Sequence, residues 1–165
     1  MYVNRYIPWN VNPATVGSID VDYSKLFSDL VRVEISLWDA VDESLRERHD
    51  LPLPWFEPMR VIDRMGGGRV IDIAEELRIT VGGTSKLVDR IEGAGYMKRT
   101  PDPNDGRAMR IQLTPAGRRK LRAAEKTQRT VVQRFLDATL SSDSQAQLAG
   151  VLERLRETQP GEGGG

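Results

Sequence analysis

Apolar positions step at helical spacing along most of this chain, with one interruption of a different period. Leu26, Leu30, Val33, Leu37, Val41 and Leu45 recur every three or four residues, with Phe27, Val31, Ile35 and Trp38 as an adjoining stripe. This predicts a long helix from Asp22 to about Arg48, capped by Asp20 or Asp22, whose apolar face is wider than one neighbour covers. Leu51-Pro52-Leu53-Pro54 breaks the pattern. Phe56, Met59, Ile62 and Met65 restore it as a second helix over Trp55–Met65, with Pro54 in its first turn and Gly66-Gly67-Gly68 ending it. Arg69-Val70 reads as a stub of strand. Asp72–Leu77 reads as a short third helix with Ile73, Ala74 and Leu77 inward.

The interruption lies between Ile79 and Gly117. After a tight turn at Arg78-Ile79, Thr80 is a good N-cap for a fourth helix that buries Leu87, Val88 and Ile91 and leaves Thr84, Ser85, Lys86 and Arg90 on or near the other side. Glycine stops that helix. A strand follows from Tyr96, then the turn Asp102-Pro103-Asn104-Asp105-Gly106-Arg107, then a second strand to Leu113. A short helix, a tight turn and a second helix with polar leading positions form a helix-turn-helix, whose second helix enters the major groove. With a basic hairpin behind it, the outline is a winged helix.

Beyond the hairpin, Thr114 caps a fifth helix with Pro115 at its first position, and Leu121, Ala124, Val131, Val132, Phe135 and Leu136 give it an intermittent apolar face. Ser142 and Gln145 have the spacing of a capping box for a last helix carrying Leu148, Val151, Leu152 and Leu155. The start, residues 1–21, holds Tyr2, Tyr6, Trp9, Pro8 and Pro13 and reads as an extended arm that packs on something, a partner subunit among the options. The end, residues 159–165, is expected to be disordered. The fold class is therefore mainly α with a small β-hairpin wing. One structural domain is divided into the arm, a dimerisation helix over 22–50, a winged helix-turn-helix over 51–114 and C-terminal dimerisation helices over 115–158.

Composition narrows the function. The net charge is zero, yet residues 1–79 hold nine basic and fourteen acidic side chains, whereas residues 80–120 hold nine basic and four acidic. The positive stretch coincides with the helix and hairpin, where a phosphate backbone would attract it. The charges are equally compatible with a solvated surface, and it is the shape of the segment that favours nucleic acid. Arg118, Arg119, Lys120 and Arg122 could also reach phosphate or simply face water. There is no cysteine, so disulfides, thiolate metal sites and thiol redox sensing are excluded. His49 stands alone without an acidic or cysteine cluster, so no metal or cofactor is expected and an enzyme's nucleophile and base are missing. The glycine triplet is not followed by Lys-Ser or Lys-Thr, as a phosphate loop requires. No apolar run approaches the ~18–20 residues that span a bilayer. No signal peptide is evident, and a cytoplasmic protein is expected.

Ser85-Lys86-Leu87-Val88-Asp89-Arg90-Ile91-Glu92, Gly95-Tyr96-Met97-Lys98-Arg99, the hairpin turn 102–107 and Leu113-Thr114-Pro115-Ala116-Gly117 together resemble the MarR family of winged-helix transcription regulators. The likeness covers roughly residues 22–157. It implies a homodimer that binds a pseudo-palindromic operator in double-stranded DNA as a repressor. It further implies a small phenolic or anionic effector that lowers DNA affinity. Carried over by position, the recognition helix spans Val81–Ala94. The DNA-binding set is Thr80, Gly82, Gly83, Thr84, Ser85, Lys86, Arg90, Arg99, Arg107 and Arg110, with Arg107 at the wing tip in the minor groove. Asp89 and Asp105 would brace the wing, Asp89 by pairing with Arg107 or Arg110. Trp38, His49, Trp55, Phe56 and Arg60 lie where an effector pocket would form, although each is also compatible with ordinary packing. Gly82-Gly83 departs from the family, which has polar or larger side chains in this turn, and each glycine costs about 1 kcal/mol of helix propensity relative to alanine. Bare backbone there would allow close approach to bases, or leave a turn that orders only on DNA. A winged helix that binds protein instead of DNA is the rival reading.

Overall fold

The computed structural model describes residues 20–102 and 105–157, with the side chains of residues 105–107 outside the description. The arm up to Ile19 and the tail from Thr158 therefore lie outside the described residues. In chain order the elements are α1 (Tyr23–His49), α2 (Leu53–Met65), α3 (Val70–Leu77), α4 (Val81–Gly93), β1 (Met97–Asp102), β2 (Asp105–Leu113), α5 (Pro115–Asp137) and α6 (Ser142–Glu157). Contacts divide the chain into two units, up to Glu34 and from Ile35, with α1 running through the boundary.

In the first unit Asp22 starts α1, its Oδ1 accepting the Lys25 N–H at 3.0 Å. Leu26, Phe27, Leu30, Val31 and Val33 are all exposed, Phe27 at 68%. Both predicted stripes are thus open to water over this part of the helix.

In the second unit the lower end of α1 changes character, and Val41 and Leu45 enter a core with Leu51, Phe56, Met59, Ile62, Ile73, Val88, Ile91, Met97, Ile111, Leu113 and Leu121. Each such side chain contributes ~1.5–3 kcal/mol on burial. The second helix begins at Leu53, two residues before the sequence pattern suggests. Asp42 Oδ1 of α1 accepts the Leu53 N–H at 2.7 Å, so a partner distant in sequence supplies the cap that local residues lack. The expected strand stub at Arg69-Val70 is displaced. Gly68 pairs with Ile111 through bonds of 3.1 and 2.7 Å, and Val70 already begins α3. Asp72 Oδ2 caps α3 by accepting the Arg69 N–H at 2.7 Å. For α6 the cap is Ser141, whose Oγ accepts the Ser144 N–H, rather than Ser142. Gln145 instead donates to Asp137 and to the Leu140 carbonyl.

The two strands form an antiparallel hairpin in the register Met97↔Leu113 to Pro101↔Met109, shifting at Asp102. Its stem is clamped. Thr114 N donates to the Tyr96 carbonyl at 3.0 Å, Thr114 Oγ1 donates to Gly95 O at 2.7 Å, and the same oxygen accepts the Gly117 N–H at 3.0 Å as the α5 cap. A Cβ at Gly117 would lie 2.0 Å from the Tyr96 carbonyl oxygen, so α5 can approach the Tyr96 backbone this closely only through glycine. Gly117→Ala is expected to destabilise the fold by about 3 kcal/mol, because backbone rather than a mobile side chain must yield. Urea unfolding monitored by circular dichroism measures this, and an unchanged midpoint would refute the clamp.

Candidate nucleic-acid interface

The helix-turn-helix is built from local backbone chemistry. Arg78 closes α3 in the left-handed region at φ 53, with its N–H and that of Ile79 directed at carbonyls of the last α3 turn. Thr80 is extended, and its Oγ1 accepts the Gly83 N–H at 3.2 Å, the cap expected from sequence. Val88 and Ile91 are buried on the core side of α4. Val81, Gly82, Gly83, Lys86, Asp89 and Arg90 are exposed, and Ser85 is half-buried. Among the described residues, Lys86 and Arg90 carry no ion pair, so their charges are available to an anionic partner.

Thr84 does not belong to the exposed set. Its side chain is fully buried, and its hydroxyl donates to the Thr80 carbonyl at 2.9 Å. The helical period turns this position inward, and the internal bond satisfies the hydroxyl. Thr80 is exposed, but its oxygen is engaged in capping.

Two arginines of the wing, Arg99 and Arg110, are engaged within the protein. Arg99 is 24% exposed and reaches back from β1 to α4, donating to Asp89 Oδ1 at 2.6 Å and to Glu92 Oε2. Its backbone N–H donates to Glu92 Oε1 at 2.9 Å. Burial disfavours the guanidinium charge, but the two carboxylates outweigh it and leave the Arg99 pKa above its ordinary value. The Asp89 partner in the structure is thus Arg99, where the sequence suggested Arg107 or Arg110. Arg110 turns away to donate to the carbonyls of Gly67 at 2.9 Å and Gly66 at 3.4 Å. Glu92 was missed at the sequence level, although Asp89 and Glu92 share a helix face ahead of a basic strand, which is the available signal. The side chains of Arg107 and Asp105 lie outside the described residues. On α5, Arg118 pairs with Asp63 at 3.7 Å, and Lys120 donates to the His49 carbonyl at 2.6 Å; Arg119 and Arg122 are exposed.

The expected effector-pocket residues have separate surroundings. Phe56 is fully buried in the core and so is unavailable to line an open site. Arg60 pairs with Glu57 at 2.8 Å and lies 5.9 Å from the Phe56 ring centroid. Trp38 is exposed and Trp55 packs at the core edge. His49 Nε2 is hydrogen-bonded to Thr127 Oγ1 at 2.7 Å, joining α1 to α5. An open cavity of about 590 Å³ lies elsewhere, bounded by Arg64, Glu75, Glu76, Arg78 and Arg156.

A helix-turn-helix whose second helix is flanked by a braced β-hairpin defines a winged-helix protein. Residues 51–109, which hold this winged helix, match the MarR family. YfiV of Bacillus subtilis, an HTH-type transcriptional regulator, is 25% identical over 150 residues, covering 90% of this chain and 89% of that one. The fold is shared with Sco3205 of Streptomyces coelicolor, a MarR-family regulator solved in complex with DNA (TM-score 0.75, 19% identity, 88% of this chain and 96% of that one). It is also shared with BpsR of Bordetella bronchiseptica, whose DNA binding is regulated by 6-hydroxynicotinic acid (TM-score 0.71, 15% identity, 80% and 98%). Among the described residues, no helix is long and apolar enough to cross a membrane.

Two measurements probe this geometry. Arg99→Gln should lower global stability by less than about 1 kcal/mol, since partly exposed ion pairs are screened. Amide exchange in β1 and β2 should nevertheless accelerate relative to α2, and unchanged exchange there would show that the pairs do not brace the hairpin. His49 is held below its ordinary pKa by burial, then by Lys120 and Arg48. Its protonation therefore favours the unfolded chain. That contribution is complete above the unfolded pKa of about 6.5 and is lost as pH falls from there through the lower folded value. The His49→Gln variant should show a shallower loss of urea stability between about pH 7 and pH 5, and an identical slope would remove His49 from the linkage.

Proposed function

We propose that this chain is a DNA-binding transcriptional repressor that acts as a homodimer on a pseudo-palindromic operator. The observation that carries the reading is the exposed face of α4, bearing Lys86 and Arg90 beside a hairpin tied to the same helix through Arg99. In this reading α4 enters the major groove and Arg107 contacts the minor groove, where the narrow groove's potential favours arginine. Ser85, Gly82 and Gly83 complete the contact surface. Thr84, Arg99 and Arg110 serve the protein's own structure.

Dimerisation is supported by two apolar surfaces, each taken by itself. One is the stripe of Leu26, Phe27, Leu30 and Val33 on α1. The other is Val151, Leu152 and Leu155 on α6, a helix with no buried residue. Such exposure is unusual for a monomer and supports an interface between two copies. The dimerisation parts are accordingly assigned to residues 22–50 and 115–158, and the DNA-reading part to 51–114. A small aromatic or anionic effector that lowers DNA affinity is included by analogy with BpsR. The protein is assigned to the cytoplasm, where its DNA partner would be.

The test is binding of the full chain to a duplex from the region upstream of its own gene, over a salt series. Affinity should fall linearly on a log–log scale with a slope of about −0.9 per phosphate contacted. No binding at low salt would sink the DNA reading in favour of a protein-binding winged helix. Arg107→Ala should weaken binding and flatten the slope while sedimentation still shows a dimer. Loss of the dimer would mean that Arg107 serves assembly.

A further inference from the structure

We propose that the leading turn of α4 reads thymine through its 5-methyl group, with Val81 as the specificity-determining residue and Gly82 as the place where the duplex lies against bare helix backbone. This rests on the DNA-binding reading above.

The polar groups of this turn are already engaged within the protein. Thr80 Oγ1 accepts from Gly83 N, and the buried Thr84 hydroxyl donates to Thr80 O. Ser85 is half-buried, and the first exposed polar side chain on α4 is Lys86. What the turn presents instead is apolar. Val81 is 50% exposed, and Ile79 in the preceding turn is 43% exposed. A valine at this position adds nothing to the core, and isolated exposure alone would be unremarkable. Its neighbour changes that reading.

Gly82 is an ordinary helical residue without a positive φ, and a Cβ built on it would meet nothing within 4 Å. Neither backbone conformation nor packing requires glycine there, and alanine would favour the helix. Gly83 is different, since its Cβ would crowd Thr80 Oγ1 at 3.0 Å and disturb the cap. The space cleared at Gly82 therefore faces outward. In the docking geometry of a helix-turn-helix, the residues at the start of the recognition helix contact base edges. An apolar side chain brought close by a bare neighbour cannot replace lost hydrogen bonds with donors or acceptors. It can exclude water from the thymine methyl, the one apolar group on the major-groove edge.

The experiment uses the full chain and the duplex it enriches from a randomised library. Thymines of that duplex are replaced one at a time by uracil, which removes only the methyl. Wild-type protein should lose about four-fold in affinity at one thymine per half-site, the amount expected for one buried methyl. Val81→Ala should lose that sensitivity and keep its salt dependence. Gly82→Ala should melt at or above the wild-type midpoint, by up to about 2–4 °C, yet bind the enriched duplex about ten-fold more weakly, comparable to one mismatched base pair. Uracil-insensitive wild-type binding, or a Gly82→Ala variant that binds as tightly as wild type, would overturn the inference while leaving DNA binding intact. If no duplex is enriched and no salt-dependent binding exists, the DNA reading itself fails and this inference falls with it.

Discussion

The carbonyl oxygen of Tyr96 is the point on which the winged helix depends. It accepts from Thr114 N at 3.0 Å and receives a second, longer contact from Thr114 Oγ1 at 3.3 Å. Tyr96 stands immediately before β1 and Thr114 immediately after β2, so these bonds bring the two ends of the hairpin together. Tyr96 N in turn donates to Ile91 O at 3.1 Å, which ties the same point to the end of α4. The helix α4, the wing and the long α5 thus meet within a few residues. Their relative directions follow from backbone bonds, which side-chain motion perturbs little.

The charged groups do a different kind of work from the core. Burial of Phe56, Met59, Ile62, Ile73, Ile91 and Leu121 supplies stability at ~1.5–3 kcal/mol per side chain. The ion pairs of this unit are at least partly exposed on one side and are worth under ~1 kcal/mol each. Their value lies in orientation. Arg99 is a strut between wing and helix, and Arg110 is a strut between wing and the α2–α3 connection. A segment with nine basic residues therefore offers fewer of them to a partner than its composition implies.

The features that could be read from sequence are those set by near neighbours. The Thr80 and Thr114 caps, the start of α1 behind Asp22, the hairpin and the inward face of α4 at Val88 and Ile91 depend on residues within one or two turns, so spacing reveals them. What could not be read depends on partners brought close only by the fold. The start of α2 is set by Asp42 in another helix, and the strand stub is set by Ile111 across the wing. Arg99 and Arg110 looked like free cations because their acceptors lie on other elements. Thr84 looked like a surface residue because a threonine near a helix start usually is one. Only the helical phase of this particular α4 places it inside.

The run Gly66-Gly67-Gly68 has the composition of a flexible spacer and the constraints of a joint. Gly66 closes α2 at φ 67. Gly67 sits at φ 110, where a Cβ would come within 3.1 Å of the Ile111 carbonyl oxygen. Gly68 pairs with Ile111 and would crowd Asp72. Three adjacent identical residues thus meet three separate requirements. The consequence is evolutionary. A segment that reads as interchangeable filler should drift least, and a shift of one residue by insertion would misplace all three requirements together. Sequence change would then have to accumulate on exposed positions such as those of α4, while this connection stays as it is.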